Sequence, residues 1–116
     1  MCFSATASFT AVGVLSVIGV ATLRKAKSKN ELPLASVPLL FGIQQAIEGV
    51  VWVSFSSPLV NTVAAYGFLF FAYVFWPIFV PLAFTLIEPN CARKNALKIF
   101  SLIGLAVGLY LLYFLI

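Results

Sequence analysis

The stretch LASVPLLFGIQQAIEGVVWVSF, Leu34 to Phe55, decides the fold. It carries one charged side chain, Glu48, in an otherwise largely apolar run. A helix rises about 1.5 Å per residue, so about 20 such residues cross the roughly 30 Å of hydrocarbon in a bilayer. Outward from this run, three others meet the same test: Ser4–Leu23, Asn61–Ile87 and Ala96–Ile116. The chain therefore reads as all-α: a polytopic, four-transmembrane-helix bundle, with residues 1–116 forming a single transmembrane domain.

Composition points the same way. Hydrophobic residues make up 63% of the chain and charged ones 9%, and the mean hydropathy is +1.13. A soluble domain carries about a quarter charged residues, because its surface must meet water. The solvent for most of this surface is expected to be lipid. Met1–Leu23 has no charge ahead of its apolar run, so it reads as a retained helix rather than a signal peptide.

Charge then sets the expected orientation. Arg24, Lys25, Lys27 and Lys29 follow the first run, while Arg93, Lys94 and Lys98 lie around the start of the fourth. Short loops rich in Lys and Arg stay in the cytoplasm. In a zigzag of four spans both clusters fall on one side, which places both termini outside. The net charge of +4 is thus explained by topology, with a generic attraction to anionic headgroups. Nucleic acid is not an expected partner, since no basic face is interleaved with base-stacking aromatics.

Local signals mark the ends of the runs. Ser4 is an expected cap for the first helix and Asn61 for the third. Pro33 suits the start of the second, Pro58 marks the outer turn and Pro89 ends the third. Pro38, Pro77 and Pro81 lie deeper and should bend their helices, the third most of all. Cys2 and Cys91 fall on opposite sides of the membrane in this topology, which excludes a bridge within one chain. Cys2 is the candidate functional thiol, because its position is exposed. With no histidine and no metal-ligand spacing, no metal or haem is implied. The sequence names no cofactor.

Glu48 is the acid inside an expected span, and a charge in hydrocarbon costs roughly 3 kcal/mol on insertion scales. Such a residue is either functional or a neutral group hydrogen-bonded between helices. At about 100° per residue, Phe41, Gln44, Gln45, Glu48, Trp52 and Phe55 share one side of the helix. Gly42, Ala46 and Gly49 make another side on which a neighbouring helix can approach closely. In the expected outer half, Ser4, Thr6, Ser8, Thr10, Asn61, Thr62, Tyr66 and Tyr73 add polarity, as do Tyr110 and Tyr113. These residues suggest an outward-facing ligand or ion site, with Gln44, Gln45 and Glu48 at its floor. Ser8, Trp52, Tyr66 and Tyr73 complete the candidate set. An interfacial aromatic belt also accounts for the tyrosines nearest the surface, but not for the Gln-Gln-x-x-Glu cluster. Gly104 and Gly108 form a GxxxG pair suited to packing within the monomer or between copies.

The opening MCFSATASF, residues 1–9, and PLLFGIQQAIEGVVW, Pro38–Trp52, resemble an uncharacterised bacterial multi-pass integral membrane family. The resemblance covers roughly the first half of the chain. It implies a bacterial cytoplasmic (inner) membrane and a family pattern that includes Cys2, Gln45, Glu48 and Trp52. It implies no activity. It also implies longer relatives with more helices, so this chain reads as a short relative or as the front part of one.

Three classes of function fit these residues unequally. A binding or accessory subunit fits best: it would pack against a membrane-protein partner or a second copy, or hold a lipid or other hydrophobic ligand. A proton- or cation-coupled transporter or channel using Glu48 is the alternative, and four helices would then require an oligomer. An enzyme fits least, since acid–base chemistry usually wants two tuned groups and the spans offer one acid.

Overall fold

The computed structural model describes residues 4–115, and these are helical nearly throughout. In order they form α1 (Ala5–Lys25), α2 (Leu32–Ala35), α3 (Val37–Val53), α4 (Pro58–Phe70), a π-helical turn (Phe71–Phe75), α5 (Trp76–Ile87) and α6 (Cys91–Leu115). Three helices are long and apolar enough to cross a membrane: Ala5–Lys25 with 21 residues, Pro58–Ile87 with 30 and Cys91–Leu115 with 25. The run that carries Glu48 differs from the expected single helix. It divides into the four-residue α2 and the 17-residue α3. Proline is the physical reason. Pro38 has no amide hydrogen, and its ring excludes the carbonyl four residues back, so the helix breaks at Ser36 and restarts.

The chain divides into two compact units. The first comprises the residues up to Ala26 together with Ala35–Phe68. Within it α1 and α3 run antiparallel in close contact, and glycines set the register. A Cβ built on Gly19 would lie 2.8 Å from Leu39, and one on Gly49 would lie 2.7 Å from the Phe9 ring. Gly42 faces Leu15 and Ser16 at ordinary contact distance. The neighbour expected on the Gly42–Gly49 side is thus α1. Thr22 Oγ1 donates to the Ala35 carbonyl across 2.6 Å, fastening the other end of the pair. Asn61 corrects an expectation: the helix begins at Pro58, so Asn61 lies inside it rather than capping it. Its Nδ2 donates to the Val51 carbonyl at 2.9 Å and to Ser54 Oγ at 3.3 Å, joining α4 to the end of α3.

The second unit comprises Lys27–Leu34 and the chain from Leu69 onward. Its long helix is irregular where prolines demand it. Pro77 and Pro81 cannot donate, and just before them the helix widens so that the Trp76 N–H reaches the Phe71 carbonyl. Pro81 leaves the Pro77 carbonyl without the amide hydrogen that would normally meet it. The backbone of α6 comes against that oxygen at Gly104, where an added Cβ would collide with it. Gly108 makes the next approach, to Ile78 and the Val74 carbonyl. The GxxxG pair therefore packs within the monomer. Helix α6 starts earlier than expected, because Asn90 Oδ1 accepts from the amides of Ala92 (3.0 Å) and Arg93 (3.1 Å). Cys91, expected in a loop, is the first residue of that helix and is exposed.

Candidate functional site

Helix α3 presents Gln44, Gln45 and Glu48 on neighbouring turns, and all three are buried, at 6%, 7% and 6% exposure. None of the three is free of a partner, and Glu48 Oε2 is sealed from solvent. Phe41 and Trp52 of α3 are exposed, and Phe55, expected on the same helical side, lies beyond the end of α3 in the following turn, because the helix ends at Val53. The Trp52 and Phe55 rings meet edge-on with centroids 6.1 Å apart. Gln45 adjoins the glycine face that meets α1, while Gln44 and Glu48 lie further round the helix.

Helix α1 contributes Ser8. Its buried residues are Ser8 and Gly19, eleven positions and about three turns apart, hence on one face. Gly19 touches α3, so Ser8 faces α3 as well. The antiparallel register set by the glycine contacts brings Ser8 and Glu48 within about one turn of each other along the pair. Ser8 is 0% exposed, and its Oγ has no hydrogen-bond partner among the described residues. Leaving a buried hydroxyl unsatisfied costs about 1–3 kcal/mol, so this oxygen is held at a cost on the α3-facing side of α1.

The remaining candidates lie elsewhere. Tyr66 is half-exposed, and Tyr73, also half-exposed, belongs to the second unit. Ser4 is spent on capping α1, its Oγ accepting from the Ala7 N–H at 3.2 Å. Thr10 donates to the Thr6 carbonyl of its own helix at 2.7 Å. Cys2 lies outside the described residues. Two buried polar residues outside the candidate set are Ser54 and Thr85. Ser54 contacts Asn61, and Thr85 donates to the Pro81 carbonyl at 2.7 Å while lying 3.4 Å from Ser101 Oγ.

The balance of the interior is the informative property. Among the described residues, buried polar side chains (Ser8, Gln44, Gln45, Glu48, Ser54, Thr85) outnumber buried hydrophobic ones (Ala64, Val74, Ala83). Two hollows open on the first unit. One, of about 650 Å³, is lined by α1, and the other, of about 520 Å³, by α3 and α4. Glu48 lines neither. Chemically, the buried amides and carboxyl group of α3 are groups that can bind a polar group or hard cation by oxygen contacts, and α1 adds a buried hydroxyl at about the same level along the pair.

A family model described as a family of unknown function, DUF6629, matches residues 1–116. The match covers the whole chain, and the family is an uncharacterised one. No curated protein and no solved structure matches the chain.

Proposed function

We propose, from the premise that this chain belongs to the DUF6629 family and takes no activity from that membership, that it is a binding or accessory subunit of a membrane assembly. One observation carries the reading: Gln44, Gln45 and Glu48 on α3 and Ser8 on α1 are buried, while many of the large apolar side chains are exposed. A chain selected only to sit in lipid has no need of a buried carboxyl group, which lipid insertion penalises. An interior that receives a polar group from a partner or ligand does need one. Native purification from membranes tests this. A stoichiometric partner or retained ligand is expected, and recovery as an isolated, ligand-free, stable chain would overturn it.

In this reading α2 and α3 complete a fourth span. The basic segments at Arg24–Lys29 and Arg93–Lys98 face the cytoplasm of a bacterial inner membrane, and both termini lie outside. Cys91 reports on that orientation, because it is exposed beside the second basic segment. In a Cys2→Ser background, a membrane-impermeant maleimide is expected to label Cys91 in inverted vesicles and to leave it untouched in intact cells. Labelling in intact cells would reverse the topology.

A further inference from the structure

Helix α1 has a second feature, which goes beyond the Glu48 site. A shallow, wide-open hollow on the first unit is lined by Ser16, Val17, Val20, Ala21, Arg24 and Lys25, all on α1. These residues recur at steps of about four along one helix, so they form a stripe rather than a scatter. Its apolar part is open: Val17 is 72% and Val20 45% exposed. The stripe runs about 13 Å along the helix, from Ser16 to two adjacent positive charges in the last turn. Helical steps of four bring the two basic side chains onto the same side of α1 as the valines. Glu31, the nearest acid in sequence, accepts the Lys27 backbone N–H at 2.6 Å.

We infer that this hollow seats one anionic phospholipid. Its acyl chain lies along Val17, Val20 and Ala21, and its phosphate meets Arg24 and Lys25. Charge complementarity selects this occupant. A zwitterionic lipid fills the apolar part but gives the paired cations no net charge, whereas a free phosphate uses the cations and leaves the valines bare. Guanidinium and ammonium groups on flexible stems at the end of a span are suited to reach the headgroup layer.

The test is a native mass-spectrometric titration of delipidated protein in neutral detergent, using phosphatidylglycerol, phosphatidylcholine and glycerol phosphate as probes. One molecule of phosphatidylglycerol is expected to bind in preference to phosphatidylcholine, and glycerol phosphate should not displace it. Each basic residue near a headgroup contributes about 1 kcal/mol, so the Arg24→Gln/Lys25→Gln double variant should bind roughly thirtyfold more weakly. A charge-matched Lys94→Gln/Lys98→Gln variant should bind as the wild type does. Val17→Trp, which fills the hollow without touching the charges, should also weaken binding. Equal binding of the two lipids overturns the inference, as does displacement by glycerol phosphate or an equal loss in the Lys94/Lys98 variant. Because none of these residues belongs to the Glu48 cluster, this inference and the assembly reading can fail independently.

Discussion

Gly104→Leu is expected to leave little folded protein. A Cβ at this position would collide with the Pro77 carbonyl oxygen, which is backbone and cannot rotate away. The oxygen cannot be withdrawn into its own helix either, because Pro81 offers no amide hydrogen to hold it there. Helices α5 and α6 would have to separate, breaking the neighbouring approach of Gly108 to Ile78 and Val74 and the Thr85–Ser101 contact. Overpacking of a tight contact costs about 1–3 kcal/mol, and a backbone collision belongs at the upper end. The measurement is the midpoint of thermal unfolding in detergent, with Gly13→Leu as control. No atom lies within 4 Å of a Cβ built on Gly13, so that variant should unfold as the wild type does. A Gly104→Leu protein of unchanged midpoint would contradict the close approach of α5 and α6.

The second large effect separates stability from function. Glu48→Leu removes a group that costs roughly 3 kcal/mol to place in hydrocarbon and substitutes one that membranes accept freely. Glu48 has a bonding partner, which leucine leaves unsatisfied at a cost of about 1–3 kcal/mol. The gain and the cost are of similar size, so the variant is expected to insert and to unfold near the wild-type temperature. If the carboxyl group serves a partner or ligand, co-purification should fall at least tenfold at the same time. Loss of assembly at an unchanged unfolding temperature is an outcome that simple misfolding cannot produce. A variant that unfolds near the wild-type temperature and is still fully assembled would reduce Glu48 to a packing residue.

The fold was legible where periodicity speaks and obscure where single hydrogen bonds decide. The shared side of Gln44, Gln45 and Glu48, and the close-packing side of Gly42 and Gly49, follow from the 3.6-residue repeat. The length of the run Leu34–Phe55 does not reveal that it breaks at Ser36, because hydropathy is blind to backbone donors. Pro38 was the available signal, and it read as a bend where the structure has an interruption. Asn61 looked like a cap because caps and buried amide donors draw on the same residue types. Its partners, Val51 and Ser54, lie across the turn that Pro58 marks, but composition does not say which oxygens the amide meets there. The start of α6 was missed because Arg93 and Lys94 suggest a loop, whereas Asn90 alone suffices to begin a helix before them. Ser8 belongs to the candidate set already from the sequence, and its complete burial on the α3-facing side of α1 is what the structure adds.

The largest fully enclosed side chain among the described residues is that of a serine. Bulk therefore does not hold this molecule together, and the usual map of mutational tolerance is turned inside out. Exposed residues such as Val17, Leu59 and Phe114, of the kinds a water-soluble protein guards most closely, stand on the outside of the helices. Exchanging them for one another is expected to cost little. Tolerance to substitution should be widest on this greasy exterior and narrowest at the glycines, at one hydroxyl and at a few amides.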